Sequence, residues 1–122
     1  MTDRSEDAVL DLSIDDASCL RTLRSWLRER LDDERLVDVE LVCVELVTNA
    51  IEHARAPRAV RIRLAPRGRA RIEVDDAGPP RALAPRLPTL HELRGRGLAL
   101  VDALSTWGVR LTPTGKTVWA SL

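Results

Sequence analysis

Residues 36–54, LVDVELVCVELVTNAIEHA, decide the fold because they form an apolar stretch long enough for about five turns of helix. Its apolar side chains recur around more than half of the helical circumference, as in a helix that neighbouring elements cover on most sides. Four polar residues interrupt this pattern near its end: Glu45, Asn49, Glu52 and His53. We therefore expect a central, well-buried helix from about Asp33 to Ala54, with a polar stripe near its C-terminus.

The patterns around this helix predict a single domain for the 122 residues. Alternation of apolar and polar residues predicts strands, and leucines at spacings of three and four predict an amphipathic first helix. The other predicted elements are a strand at 8–14, a helix at 16–31, strands at 58–65 and 69–76, a loop at about 77–97, a helix at 98–106, and strands at 107–113 and 116–122. Hairpins join most of the strands, so the predicted fold is an α+β two-layer sandwich: one mixed, mostly antiparallel sheet with three helices on one face.

Composition and charge exclude several classes of protein. The chain has 19 basic and 19 acidic residues and three Trp but no Tyr or Phe, so neither a basic surface nor base-stacking side chains favour direct binding of nucleic acid. No stretch reaches the roughly 18 apolar residues of a membrane helix, so we expect a cytoplasmic protein that does not bind membranes. Cys19 and Cys43 fall in predicted helices and are expected to be buried thiols.

The polar stripe on the central helix has two interpretations. At 100° per residue, Glu45, Asn49 and Glu52 lie within about 60° of one another, with His53 about 40° beyond Asn49. In the first interpretation the helix end emerges into solvent, and the stripe is a hydrated edge. In the second, Asn49 is an oxygen ligand of Mg²⁺ and Glu45 polarises a hydroxyl group or a water molecule. The stripe alone is compatible with both.

A first glycine turn follows the strand predicted at 69–76. In VDDAGPP, residues 74–80, Asp76 ends the strand and Gly78 comes two residues later. A carboxylate in this place can accept a hydrogen bond from an exocyclic amine, and the glycine lets a flat ring approach the backbone. Such a turn also occurs with a purely structural role.

A second glycine turn begins the helix predicted at 98–106. In RGRGLALV, Gly95 and Gly97 expose backbone N–H groups at a helix start, and Arg94 and Arg96 add positive charge. This arrangement suits an anion, although glycines also precede helices for structural reasons.

Two familiar phosphate-binding motifs are excluded. The GKT of residues 115–117 resembles the end of a P-loop, but Arg110 stands where that motif has its first glycine, and a strand follows instead of a helix. The glycines of RGRGLALV resemble the start of a dinucleotide fingerprint, but Leu100 takes the place of the third glycine and no strand precedes them.

In this order, the three segments resemble the motifs of the histidine-kinase/gyrase/heat-shock-chaperone ATPase superfamily. ELVTNAIEHA, residues 45–54, resembles its N-box, VDDAGPP its first glycine box and RGRGLALV its second. The resemblance spans nearly the whole chain. The short lid, the segment GRGLALVDALSTWGV, the ending GKTVWASL and Glu45 make the chain most similar to the small bacterial anti-sigma-factor serine/threonine kinases.

The resemblance implies ATP and Mg²⁺ as cofactors and a role for each motif. Asn49 would bind Mg²⁺, Glu45 would be the base that activates an incoming hydroxyl, and Asp76 would receive the adenine amino group. The other ATP-binding residues that it implies are His53, Gly78, Arg94, Gly95, Arg96, Gly97, Leu98 and Thr117. Residues 77–97 would form the ATP lid.

Two residues depart from the superfamily pattern. Pro80 stands where the first glycine box usually has its second glycine, which removes an amide and stiffens the turn. Glu52 stands where sensor kinases often have a lysine, so Arg94, Arg96 or His53 would have to neutralise the phosphates.

The leading hypothesis is a Mg-dependent kinase that phosphorylates a serine or threonine of an anti-anti-sigma protein, or that sequesters a sigma factor. Arg21, Arg24 and Arg28 of the first helix would form a partner or homodimer contact, or simply a solvated face. The alternative hypothesis is a non-catalytic ATP-binding module whose lid gates a protein partner. Glu45 and Asn49 favour the kinase, whereas Pro80 and the other lid prolines favour the module.

Overall fold

A computed structural model of the protein describes residues 6–78 and 98–122. They form, in chain order, β1 (Ala8–Ser13), α1 (Cys19–Arg28), α2 (Asp33–His53), β2 (Ala59–Leu64), β3 (Ala70–Asp76), α3 (Ala99–Leu104), β4 (Thr106–Thr112) and β5 (Gly115–Ser121). Every predicted strand and helix is present, and its ends lie within about three residues of the predicted ones. Of the loop predicted at 77–97, residues 79–97 lie outside the described part of the chain.

The five strands form one sheet in the order β1-β2-β3-β5-β4. All four pairings are antiparallel, where the sequence predicted mostly antiparallel ones. One face of the sheet is covered by the helices, and its buried side chains are Val60, Ile62, Leu64, Ala70, Ile72, Val74, Val118 and Ala120. The α+β two-layer sandwich predicted from the sequence is therefore confirmed, with β3 at the centre of the sheet.

Helix α2 is the central helix, in contact with α1, α3 and β3. Its start is fixed by Asp32, whose side chain accepts a hydrogen bond from the Arg35 backbone N–H at 2.9 Å. The buried side of the helix consists of Val39, Val42, Cys43, Leu46, Val47 and Ala50. Val37 and Leu41 are exposed instead, so the helix is less completely covered than its apolar pattern predicts.

Helix α1 is three residues shorter than predicted at each end, and a side-chain hydrogen bond accounts for its later start. The Ser18 backbone N–H donates to Asp16 Oδ1 at 2.8 Å, and the helix begins only at Cys19. Leu23 and Leu27 are buried against the core.

The α1 arginines predicted as a contact or dimer face lie close to α2. Arg24 Nε is 3.1 Å and Arg28 Nη2 3.6 Å from Glu40 Oε1. Two of the three arginines therefore belong to an ion-pair cluster between the helices. Arg24 and Glu40 are half-buried and Arg28 is exposed, so we expect the pair formed by Arg28 to contribute little to stability.

None of the three helices in the described part of the chain could span a membrane, since each is too short or too polar. Both cysteines are free thiols; Cys43 is fully buried and Cys19 half-buried. Burial raises the pKa of the Cys43 thiol far above its ordinary value, so the side chain stays protonated as part of the core.

The face of the sheet away from the helices carries charged pairs, both between neighbouring strands and within β3. Arg61 donates to Glu73 Oε1 through Nε at 3.0 Å and Nη2 at 2.9 Å, and Arg71 Nε donates to Oε2 at 3.4 Å. Arg71 also lies over the Trp119 ring, 4.6 Å from its centroid. Burial raises the pKa of Glu73, but the hydrogen bonds and charges of Arg61 and Arg71 outweigh it, and the net pKa is below the ordinary value.

We expect Glu73 to make the stability of the protein depend on pH. Because its pKa is lower in the folded than in the unfolded chain, its contribution is present above the ordinary value of 4.5 and is lost as the pH falls through the folded-state pKa. Chemical denaturation of the wild type and Glu73→Gln at pH 7 and pH 3 tests this. The free-energy advantage of the wild type should shrink at pH 3, and an advantage of equal size at both pH values would contradict the assignment.

Candidate functional site

A small cavity lies where the last turns of α2 meet the ends of β3 and β5. Its apolar walls are Leu46, Ala50, Ala54, Val74 and Val118. Four polar residues also line it: Asn49, His53, Asp76 and Lys116. Of the site residues that the sequence predicts, Asn49, His53 and Asp76 are thus brought to one place, from a helix and a strand that are distant in sequence.

Backbone contacts hold the two sides of this cavity together. Arg58 Nη1 donates to the carbonyl groups of Ala50 and Ile51 in the last turn of α2, at 3.3 and 3.2 Å, and to that of Ala54, which follows the helix, at 3.4 Å. The last carbonyl groups of a helix lack the full set of helical partners, although Ala50 O also accepts from the Ala54 backbone N–H at 2.9 Å. A cation there also interacts favourably with the helix dipole. The Ala77 backbone N–H donates to Arg55 O at 3.0 Å, which ties the chain after β3 to the chain after α2.

Asn49 has an oxygen atom that fits a ligand. Its Oδ1 is buried, and no hydrogen-bond donor reaches it in the structure as described over 6–78 and 98–122. A buried acceptor without a partner is energetically unfavourable and calls for an explanation such as a ligand or an ion. An amide oxygen is a hard donor of the kind that Mg²⁺ prefers, and Mg²⁺ commonly binds through one or two protein groups together with water and phosphate oxygens. The residue therefore fits the metal that the sequence suggests.

Asp76 is a buried carboxylate with two donors in place. The Gly78 backbone N–H donates to its Oδ1 at 2.8 Å, and Lys116 Nζ lies 2.7 Å from its Oδ2. A carboxylate has about four acceptor sites, so each oxygen can accept one further hydrogen bond. Asp76 can thus still receive a donor from a bound molecule.

Two glycines make this arrangement sterically possible. A Cβ on Gly115 would overlap the carbonyl oxygen of Asp76, so β5 approaches the end of β3 only without a side chain there. A Cβ on Gly78 would lie 3.0 Å from Asp76 Oδ1 and crowd the carboxylate. The glycine of VDDAGPP therefore keeps one side of Asp76 open.

Glu45 lies one turn before Asn49 on α2 and is half-buried. It is outside the set of residues that line the cavity, and no basic side chain in the described part of the chain forms an ion pair with it. Glu52 and His53 are exposed, with His53 Nε2 3.7 Å from Glu52 Oε2. The stripe is therefore divided, because Glu52 belongs to a hydrated helix edge whereas Asn49 faces the interior.

Two predicted ATP-binding residues lie elsewhere in the fold. Thr117 is on the opposite face of the sheet, where its Oγ1 donates to Asp75 Oδ1 at 2.6 Å. Successive side chains of a strand point to opposite faces, so Thr117 and Asp76 cannot share this cavity. Leu98 has its side chain in the hydrophobic core. Arg94, Gly95, Arg96 and Gly97, like Pro80, lie outside the described residues.

Lys116 is the polar cavity residue that the sequence analysis missed. It is opposite Asp76 in the β3–β5 register, on the same face as Val118 and Ala120. The alternation in GKTVWASL contains this signal, because a strand that buries Val118 and Ala120 must also turn Lys116 to that face.

A scan against protein-family models matches residues 15–122 to the Histidine kinase-like ATPase domain. Among solved structures, the chain is similar to a crystal structure of the RsbU and RsbW domains of Rv1364c from Mycobacterium tuberculosis, with 25% sequence identity and a TM-score of 0.64. This similarity covers 93% of the present chain and 32% of that chain. A comparison with curated proteins finds no significant match. The family match includes α1, α2, the whole β2–β3 hairpin and the closing hairpin, and the chain therefore belongs to the histidine kinase-like ATPase domain family.

Proposed function

We propose that the protein is an ATP-dependent regulatory kinase that transfers a phosphoryl group to a serine or threonine of a partner protein. The observation that carries this proposal is the buried Asn49 Oδ1, which has no hydrogen-bond partner among the described residues and lines the same cavity as Asp76. Asn49 Oδ1, which would bind the metal, and the Asp76 carboxylate, which would bind the purine, thus line one cavity. The membership of the ATPase family supports ATP as the nucleotide.

Different residues of the cavity would bind the purine and the metal. Asp76 would accept the exocyclic amine of the base, and the apolar walls formed by Leu46, Val74 and Val118 would contact its ring. Asn49 Oδ1 would be the protein ligand of Mg²⁺. Magnesium, when bound, would neutralise the charge that builds up on the phosphate oxygens.

Glu45 would act on the attacking hydroxyl group. Its carboxylate would accept the hydroxyl proton while the hydroxyl oxygen bonds to the γ-phosphorus and the bond from that phosphorus to the β–γ bridging oxygen breaks. The products are ADP and a phosphorylated side chain. Its place one turn before Asn49, outside the base cavity, suits a group that meets a second substrate and not the nucleotide.

The partner class comes from the sequence resemblance. The resemblance to anti-sigma-factor kinases suggests an anti-anti-sigma protein as phosphate acceptor, a sigma factor as sequestered partner, and the cytoplasm as the place of action. The similarity to a chain that contains RsbU and RsbW domains supports a regulatory setting. The exposed part of the arginine cluster on α1 offers a surface for such a partner or for a second copy of the chain.

One observation favours a second candidate function, a non-catalytic ATP-binding module. In the described part of the chain, no ion pair or hydrogen bond holds the Glu45 side chain in a fixed position. Catalytic groups usually need such support. A partner would then respond to the bound nucleotide without being phosphorylated.

ATP binding measured by calorimetry with and without Mg²⁺ tests the proposed site. We expect Mg²⁺ to tighten ATP binding to the wild type about 10- to 100-fold, and Asn49→Ala to lose this increment because its metal ligand is gone. Thr48→Ala, one residue earlier on α2, is the matched control and should retain it. Equal Mg²⁺ dependence in Asn49→Ala and the wild type would remove Asn49 from the metal site.

A further inference from the structure

Lys116 is the only lysine in the sequence, and it contributes a cation to the wall of the cavity. Its Nζ lies 2.7 Å from Asp76 Oδ2, and the two side chains are only 16% and 3% exposed. Asp76, the carboxylate that would bind the purine in the proposed function, is therefore already paired with an ammonium group.

The pair should remain intact when a base binds. Separating the members of a buried ion pair leaves an uncompensated charge and is strongly unfavourable. The pair also has unused capacity, because an ammonium group has three N–H donors and a carboxylate about four acceptor sites. In the described residues Asp76 is the hydrogen-bonding partner of Lys116, and Asp76 accepts from Lys116 and Gly78. A free donor and a free acceptor thus lie side by side.

This pair changes which purines the cavity can accept. Adenine has an exocyclic amine, a donor, at the position where guanine has an oxygen, an acceptor. A lone carboxylate would bind the amine and repel the oxygen. With an ammonium group 2.7 Å from the carboxylate, a 6-oxo group can accept from Lys116 while the neighbouring ring N–H donates to Asp76. Adenine fits the same pair with its amine on Asp76 and its ring nitrogen on Lys116.

We propose that the site admits 6-oxo purine nucleotides as well as adenine nucleotides, and that Lys116 is the residue that admits them. This inference rests on the proposed nucleotide-binding function and extends it to the class of base. Gly78 supports this proposal. A Cβ at this position would lie 3.7 Å from Lys116 Nζ, and glycine has no side chain that could separate a purine ring from the pair. The selectivity between the two purine classes then depends on one side chain.

The single lysine permits a direct measurement on the unmodified chain. Protein labelled with ¹³C at the lysine ε-carbon has one such lysine resonance, that of Lys116. We expect titration with MgATP and with MgGTP each to shift this resonance, with dissociation constants within about tenfold of each other. We also expect the two shifts to differ, because Lys116 would donate to a ring nitrogen of adenine and to the 6-oxo group of guanine. Equal shifts would contradict contact with the 6-substituent.

Variants at position 116 are expected to affect GTP binding and ATP binding differently. Lys116→Met removes the donor, and we expect it to weaken GTP binding about 10- to 100-fold more than ATP binding, since only the 6-oxo group then faces an unshielded carboxylate. Lys116→Gln keeps a neutral N–H donor and should give an intermediate ratio. Circular dichroism shows whether each variant is folded. If a variant is unfolded, the titration of the wild type with MgATP and MgGTP still tests whether the site binds both purine classes.

The outcomes distinguish this inference from the proposed function. Binding of ATP but not GTP by the wild type, or a ratio of affinities that Lys116→Met leaves unchanged, overturns the role of Lys116 and keeps the ATP site. Failure of both nucleotides to bind the wild type overturns both. Binding of ATP and GTP by the wild type, with GTP affinity lowered more than ATP affinity in Lys116→Met, supports the inference and the proposed function.

Discussion

Replacing Glu45 with Gln is expected to lower the rate of phosphoryl transfer to the partner protein about 10²- to 10⁴-fold, the usual contribution of a general base. The amide cannot accept the hydroxyl proton, whereas its size and its hydrogen-bonding atoms are nearly those of the carboxylate. Nucleotide affinity should change by less than about threefold, because Glu45 lies outside the residues that line the cavity. The measurement is transfer of labelled γ-phosphate from ATP to a candidate anti-anti-sigma protein, with ATP binding measured on the same samples.

Glu52→Gln is the matched control for this experiment. Glu52 lies on the same helix two turns later, and its exposed side chain pairs with His53 at 3.7 Å. Its removal should leave the transfer rate unchanged. Transfer by Glu45→Gln at the wild-type rate would contradict the assignment of the base, and absence of transfer by the wild type, with ATP bound, would favour the non-catalytic module.

Replacing Asp76 with Asn is expected to weaken nucleotide binding about 10- to 100-fold, the range for loss of a hydrogen bond to a charged group. Two effects act in the same direction. The exocyclic amine of the base loses a charged acceptor, and the Lys116 ammonium group, 2.7 Å away, loses the charge that compensates it in a buried place. Calorimetry with ATP and with ADP measures the change, and both nucleotides should be affected equally because they share the base.

Asp75→Asn is the matched control, because it makes the same substitution at the neighbouring residue. Asp75 is the preceding residue of β3, but its side chain lies on the opposite face, where it accepts a hydrogen bond from Thr117 and lies 3.7 Å from Arg61. It should leave nucleotide affinity unaltered. Equal losses in the two variants would show that Asp76 acts through the stability of β3 and not through contact with the base.

Much of the fold was predictable because its signals are local. Alternation gave the strands, and the spacing of leucines gave α1, since each pattern depends only on which side of an element is buried. The residues at which helices begin and end were less predictable. Helix α1 begins three residues later than predicted because Asp16 captures the Ser18 N–H, and a competition of this kind leaves no periodic signal.

Which residues line the candidate cavity was predictable where one element carries the information, and less so where two elements meet. Asn49 stood out as a polar residue on an apolar helix, and Asp76 as a carboxylate at a strand end. Which of Lys116 and Thr117 faces Asp76 depends on the register of β5 against β3, where a shift of one residue exchanges the two faces. The resemblance to the family implied Thr117, whereas the pairing of the strands places Lys116 there.

The unpartnered oxygen of Asn49 links ligand binding to the stability of the whole domain. A buried acceptor without a partner costs about 1–3 kcal/mol, a noticeable part of the roughly 5–15 kcal/mol that hold a domain of this kind folded. A ligand that supplies the partner binds the folded chain and not the unfolded one, so its concentration raises the free energy of unfolding. Nucleotide and metal would then set how long the chain resists unfolding and proteolysis, in addition to any reaction they take part in.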